Sequence, residues 1–362
     1  MVRFRKLIST AVLSTVLAAP ICASAQKQAA TDVYFIDTEG GAATLIVSPG
    51  KESVLIDCGS EGERDASRIY HVAKDVAHLK QIDALVVTHW HLDHYGGTGP
   101  LSKLIPIKKF YNKGIPEKTI DDPEHFPALI AAYRKATVGA GIYEVKAGES
   151  IPLAGTGNSA PVSLFCVIGN KQTLPDDASP AARNGYAKLH KPAPVDPSDN
   201  ANSLGFVLKV GNFRMLDLGD LTWNLEYTLI NPNNKIGLID VYQTTHHGID
   251  QSNNPALIKT IRPVVAVVNN GPHKGGTTQL FHNLLDAGSM TAIFEQHRYL
   301  DAPAPTAGDL QDRKLFVANQ DEKCKGEFIH LQIDEKGDNY QLQIGEHGRY
   351  EKFQSRLAAG GK

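Results

Sequence analysis

The sequence carries almost no excess of charge. Its 37 Lys and Arg against 39 Asp and Glu leave a formal net charge of −2 and a pI near 6.7. That balance argues against a broad basic face for nucleic acid, although a net figure does not exclude a local basic groove. Cysteine is scarce as well. Of the 4 present, Cys22 lies in a segment read below as removed, and the remaining Cys58, Cys166 and Cys324 are an odd number. At least one is therefore unpaired or bonded between chains. Cys58 and Cys166 lie at or in apolar strand-like runs and read as small core residues. Cys324, between Lys323 and Lys325, reads as exposed. An oxidising compartment allows one disulfide, but the spacing selects no pair. Beyond the N-terminus no apolar run is long enough to cross a bilayer, so no membrane span is expected in the mature chain. There is no internal period of the kind that marks repeat arrays. Nor does any shift of composition mark a second domain boundary in the 362 residues, a length that allows one large domain or two small ones.

The N-terminus reads as a processing segment. Arg3, Arg5 and Lys6 make a basic start, residues 7–20 are apolar or small, and Ala23-Ser24-Ala25 is a small-x-small cleavage site before Gln26. Ile21 is a poor residue to precede a lipidated Cys22. Residues 1–25 are expected to be a secretory signal, and the mature chain periplasmic or secreted.

Short apolar runs punctuated by glycine and proline predict strands at 32–37, 43–48 and 53–57. A helix is expected over 63–79, with Ile69, Val72, Ala73, Val76 and Leu79 on one face. A strand at 82–87 follows, then a helix toward Leu104, a strand at 109–111, a helix over 125–137 and strands at 143–145 and 162–168. Residues 170–199 are rich in proline and alanine and poor in large apolar residues. They read as a loop insertion, either a lid over a site or a disordered stretch. Strands at 204–210 and 213–218 are joined by Gly211-Asn212, a hairpin turn signal. Helices over 224–230, 255–261 and 279–286, strands at 237–243 and 264–268, and a closing hairpin of 328–333 and 340–344 complete the expected elements. Strands in both halves with helices interspersed suit two sheets packed face to face with helices outside, an α+β chain with one domain over 30–355.

The chemistry concentrates at the end of the 82–87 strand. Thr88-His89-Trp90-His91-Leu92-Asp93-His94 places three imidazoles and a carboxylate within six residues. Such side chains form a ready-made set of metal ligands. In a turn, His89 and His91 can converge on one ion while Asp93 and His94 face a second. Two ions about 3.5–4 Å apart can share one bridging hydroxide. Asp57 ends the third strand, where a carboxylate is suited to accept the outer N–H of a metal-bound histidine.

This stretch resembles the HxHxDH signature of the metallo-β-lactamase superfamily. Asn200-Ala201-Asn202-Ser203-Leu204, Leu218-Gly219-Asp220 and His246-His247-Gly248 are similar to its ComEC-type branch, named for the hydrolase-like domain of a DNA-uptake channel protein. The resemblance covers residues 32–346 or thereabouts. It implies a four-layer αββα sandwich with metals at one edge between the sheets, and Asp57 as the orienting carboxylate. Two divalent metal ions are expected, zinc by default, on His89, His91, Asp93, His94, Asp220 and His247. Asp220 would bridge them. His246 is the close rival of His247, and the one that does not bind metal is expected to line the substrate site. Many of the superfamily's hydrolases have a histidine between the first cluster and the bridging aspartate. Here only His125 and His190 fall there, and neither has the right context. Asn202 stands at the matching place as a candidate oxygen ligand, which makes manganese credible beside zinc. His273 and Lys274, in a glycine-rich turn after a strand, are further candidates for substrate or metal contact.

The implied activity is metal-assisted hydrolysis. Asp93 or Asp220 would hold the nucleophile's proton, and His246 or His273 would help the leaving oxygen. The first reading of function is a secreted hydrolase of phosphoesters or phosphodiesters, with nucleic acid among the substrates. The second is a lactonase or other carboxylic ester or amide hydrolase. The third is a non-catalytic accessory to DNA uptake. The substrate is a small-molecule or polymeric ester in the first two readings, and the fold does not choose between them. The sequence carries no signal for oligomeric state.

Overall fold

A computed structural model describes residues 30–360 except 120, 158, 178, 180–182 and 304. The expected signal of residues 1–25 lies outside the described residues. No helix among the described residues is long and apolar enough to cross a membrane.

Two nine-stranded sheets form the centre. The first runs from edge to edge as Glu351–Gln354, Asn339–Ile344, Ile329–Ile333, Thr31–Phe35, Thr44–Val47, Ser53–Ile56, Ile82–Val86, Ile107–Asn112 and Gly141–Glu144. The second runs as Lys314–Asn319, Ala292–His297, Val265–Val268, Val241–Gln243, Phe213–Asp217, Gly205–Val210, Val162–Gly169 and Ser150–Leu153, with Gln172–Thr173 beside Val162–Gly169. Both sheets are mixed. Ser53–Ile56 pairs in parallel with Ile82–Val86, and the four strands from Val241–Gln243 to Lys314–Asn319 are parallel to their neighbours.

The layers follow from strand alternation. Val33 and Phe35, Val54 and Ile56, and Ala84 and Val86 point into a core shared with Leu164, Phe206, Met215, Val267 and Phe294 of the other sheet. The intervening Tyr34, Leu55 and Leu85 point the opposite way, against Ala66, Ile69, Leu101 and Ile130 of the helices Glu63–His71, Thr98–Leu104 and Phe126–Ala136. On the second sheet Leu216, Tyr242 and Ala266 likewise meet Leu257, Ile261, Leu280 and Leu284 of the helices Pro255–Ile261 and Thr278–Asp286. Strands covered on both faces read as near-continuous apolar runs, and each large side chain so buried contributes about 1.5–3 kcal/mol. The result is the four-layer αββα sandwich that the resemblance implied.

Several boundaries differ from expectation. The helix over 63–79 is α-helical only to His71, and Val72–Val76 continues as a π-turn. The strand at 237–243 shrinks to Val241–Gln243. Its first half is tied instead by the Asp240 carboxylate, which accepts the Arg214 N–H, and by the Ile239 N–H, which bonds to Ile261 O. Strands Ser150–Leu153, Ala292–His297, Lys314–Asn319 and Glu351–Gln354 had no clear apolar signature. Ala292–His297 is buried throughout yet ends in Glu295, Gln296 and His297, whose polarity hid it.

The described part of 170–199 lies on the helices Trp223–Thr228 and Pro255–Ile261. Trp223 Nε1 donates to Lys191 O, Asn184 Nδ2 to Thr260 Oγ1, and His190 stacks on Tyr227. Cys324 is half-buried rather than exposed, and the three cysteines among the described residues are free.

Candidate metal centre

Five strands of the two sheets end at one edge, and the polar residues of the site sit just past those ends: Asp57, His89 to His94, Asp220, His246-His247 and Asn269. Ligand sites in open α/β sheets lie at the carboxyl ends of strands. Two positions need unusual backbone. Asp57 has φ +57°, and His246, His247 and Gly248 form an uninterrupted left-handed run at φ +53°, +54° and +78°. Left-handed non-glycine residues are uncommon and cluster at functional sites. Here the run carries two consecutive imidazoles into the same buried space.

One oxygen of Asp220 is the centre of the cluster. Its Oδ2 lies 3.2 Å from His94 Nε2, 3.3 Å from His247 Nε2, 3.3 Å from His246 Nε2 and 4.0 Å from His89 Nε2. Asp93 Oδ2 lies 3.4 Å from His247 Nε2 and 3.7 Å from His94 Nε2. Two overlapping ligand triads result, His89–His94–Asp220 and Asp93–His94–His247. Asp220 Oδ1 and His89 Nε2 are buried with no hydrogen-bond partner within the chain. A buried, unpaired carboxylate oxygen is costly unless something else satisfies it. The donor set of imidazole nitrogen and carboxylate oxygen, with these two orphaned atoms among them, fits divalent cations.

The outer contacts orient the rings. Asp57 Oδ2 accepts from His94 Nδ1 at 2.7 Å and from Thr88 Oγ1 at 2.7 Å, while Oδ1 accepts the Thr88 N–H. With its hydroxyl proton given to Asp57, Thr88 accepts from His89 Nδ1 at 3.1 Å. His247 Nδ1 donates to Asn269 O at 3.2 Å. Each of these three rings is held through Nδ1, which leaves Nε2 pointing at the cluster. Carboxylate and carbonyl partners of this kind fix the tautomer of a metal-bound histidine.

Electrostatics agree with a cation-hungry site. Burial pushes Asp220 up, but His247, His94 and His246 outweigh it and hold the carboxyl well below the usual range. Burial likewise raises Asp93, and His94, His247 and Lys274 more than reverse it. Burial, with His94 and His91 nearby, depresses His89 strongly, so its ring is neutral and has a lone pair to offer. Burial also pushes His246 down to about 4 despite Asp220, so it acts as a neutral imidazole, not as an imidazolium donor.

The remaining candidates divide. Lys274 Nζ contacts Asp93 Oδ2, with its side chain 42% exposed at the mouth of the site. His273 does not join the cluster. It is half exposed and pairs with Asp301, because Pro272 and the following turn direct it outward. Asn202 is also corrected: its Nδ2 donates to Asp199 Oδ1, and the amide facing the site is Asn200, 3.3 Å from His246 Nε2. Residues 199–202 form a single 3-10 turn, which separates the two asparagines in direction. Asn200 Oδ1 is buried without a partner. His91 stands apart from both ligand triads and contacts Asp121. Asp121, Asp199, Asn200 and Asn269 were not singled out from sequence, and only the Asp199-Asn200 pair beside Asn202 gave any hint.

A third cluster, Asp37, His297 and Cys324, gathers nearby along the same edge. It already holds a cation. The Arg68 guanidinium donates to Asp37 Oδ2 and Glu39 Oε1 at 2.9 Å each and lies 3.5 Å from Cys324 Sγ.

Residues 36–174 match the family model of the metallo-beta-lactamase superfamily. The chain is 26% identical over 256 residues to ComE operon protein 3 of Bacillus subtilis, covering 66% of this chain and 28% of that protein. It is 36% identical over 66 residues to atrochrysone carboxyl ACP thioesterase of Aspergillus fumigatus, covering 18% and 20%. It is 41% identical over 59 residues to transcription termination factor FttA of Methanosarcina mazei, covering 16% and 9%. The chain thus spans less than a third of the length of each of these relatives. The matched stretch, 36–174, carries the turn from His89 to His94 and so resembles the metallo-beta-lactamase superfamily, and past it Asp220 and His247 close on the same cluster as His94 and Asp93.

Proposed function

We propose that the chain is an exported, metal-dependent hydrolase of phosphoesters, with phosphodiesters such as nucleic acid foremost. The observation that carries the reading is the buried Asp220 carboxylate, which lies within 4.0 Å of histidines from both ligand triads through one oxygen and has the other left unpartnered. Two divalent ions bound there, zinc by default or manganese, would supply a water acidic enough to ionise near neutral pH and a positive field for a substrate oxygen. His89, His91 and Asp220 would hold one ion, and Asp93, His94, His247 and Asp220 the other. Asp57 fixes His94, and Thr88 fixes His89. Lys274, the cation at the mouth, suits a substrate that carries its own negative charge. A phosphodiester does so, and a neutral carboxylic ester does not. His246 and Asn200 stand together beside Asp220, where a neutral ring and an amide can accept from or donate to the leaving group. Similarity to a ComE operon protein and a transcription termination factor supports nucleic acid as the polymer.

The match to a thioesterase favours a second reading, hydrolysis at a carbonyl ester. A panel of bis-p-nitrophenyl phosphate, p-nitrophenyl acetate, a lactone and nitrocefin decides. The expected result is diester hydrolysis that needs zinc or manganese and stops with a chelator. Turnover of the acetate or lactone alone selects the second reading. No turnover of any substrate by fully loaded protein, together with DNA binding, selects a non-catalytic uptake accessory. Export is checked by N-terminal sequencing of the exported protein, expected to begin at Gln26.

A further inference from the structure

A neutral imidazole carries one N–H and one lone pair, so the nitrogen that donates a hydrogen bond cannot also bind a metal. His94, His89 and His247 are each held through Nδ1, by Asp57, Thr88 and the Asn269 carbonyl. His91 is held the opposite way. Its Nε2 contacts Asp121 Oδ2, on the loop between Ile107–Asn112 and Phe126–Ala136.

Asp121 does not reach His91 by chance of a surface side chain. The same Oδ2 accepts the backbone N–H of Asp199 at 3.0 Å. The Asp199 carboxylate in turn accepts the Trp90 N–H at 2.7 Å, between His89 and His91, and the buried Lys113 ammonium at 2.8 Å. A closed circuit therefore runs from the metal turn through Asp199 and Asp121 back to His91, and it ties the end of the 170–199 segment to that turn. Asp121 Oδ2 thus faces two N–H groups at once, the Asp199 backbone and the His91 ring.

We infer that Asp121 is a positioning residue for His91: it accepts the Nε2–H and leaves Nδ1 as the ring nitrogen that His91 offers to an ion. This rests on the metal-binding reading above. Carboxylate partners of metal-bound histidines typically change metal affinity or activity by about 10–100-fold when removed. Asp199 acts one step further out, through its backbone N–H to Asp121 and its grip on Trp90.

The test compares wild type, Asp121→Ala and Asp121→Asn, each loaded with cadmium or zinc. Proton–nitrogen correlation spectra of the histidine rings report which nitrogen of His91 carries hydrogen. Competition with a chromophoric chelator reports the affinity of each ion. In wild type the expected state is a protonated Nε2 with metal on Nδ1. Asp121→Ala should lose the slowly exchanging Nε2 proton and weaken one ion about 10–100-fold. Asp121→Asn should retain most of the affinity, because its amide oxygen can accept the same N–H. Metal on Nε2 of His91 in wild type overturns the inference without needing a variant. Two ions bound by Asp121→Ala as tightly as by wild type overturns it while leaving the hydrolase reading intact. Wild type that takes up no ion removes both.

Discussion

Asp220 serves several imidazoles with one oxygen and keeps the other free, within a site that has few fixed cations of its own. Asp220→Ala should therefore lower metal occupancy and cut activity by more than Asp57→Asn, for which about 10–100-fold is typical of an outer ligand partner. Metal analysis with turnover on the active substrate checks this, and full metal content with near-native turnover would reduce Asp220 to a turn residue. Glu295 gives a second test, away from the ligands. Burial pushes its carboxyl from 4.5 to about 8, with the Asn270 amide opposing. In the folded chain it stays protonated where the unfolded chain has already ionised. The Glu295 contribution to stability should be fullest below pH 4.5 and fall toward pH 8, with a slope of up to about 1.4 kcal/mol per pH unit. Urea unfolding of metal-free wild type and Glu295→Gln across this range should show a flatter profile for the variant, whose amide oxygen still accepts from Asn270. Residue types at this scale were legible in the sequence, since His89, His94, Asp93, Asp57, Asp220 and His247 all reach the cluster. Directions were not. Asn200 rather than Asn202 faces His246, because a 3-10 turn separates them.

Among the elements, the turn after strand Ile82–Val86 depends on close backbone contact with the turn after Ser53–Ile56. Cys58 N donates to His94 O, and Gly97 N donates to Gly59 O. A Cβ on Gly97 would lie 2.0 Å from Cys58 O. Gly97→Ala must separate the two turns that carry Asp57 and His94. It should cost about 1–3 kcal/mol in denaturant unfolding, as overpacking typically does, and weaken metal binding with it. Stability and metal affinity equal to wild type would show that the turns part freely. The adjacent Gly96 and Gly97 have no side chains to hold the two backbones apart. Strands such as Ser53–Ile56 and Ile82–Val86 were legible because covering on both faces makes them continuous apolar runs. Ala292–His297 was not, because Asn270 satisfies its polar end, accepting the His297 N–H and donating to Glu295. That partnership is visible only once the two strands lie side by side.

For the whole molecule, the two sheets bring ligands from distant parts of the chain to one edge. Asp93 and His94 follow strands of the first sheet and Asp220 and His247 strands of the second, so an ion held by them would tie the two sheets together. An ion that binds the folded chain alone stabilises it by about 2.7 kcal/mol at a hundred times its dissociation constant. Chelation should lower the melting temperature by several degrees, and zinc or manganese should restore it. An unchanged melting temperature after proven metal removal would place the ions outside the folding unit. The kind of chemistry was settled by residue types and spacing, because three imidazoles and a carboxylate within one turn define a ligand set before any folding. The fold class followed from strands in both halves with helices interspersed, and the four-layer sandwich from the family resemblance. Which nitrogen each histidine presents, that Asp121 and Asp199 back His91, that His273 turns outward and that Arg68 fills the Asp37 cluster were decided only by tertiary structure. Those outcomes depend on single left-handed residues and on partners far away in sequence, neither of which leaves a local pattern.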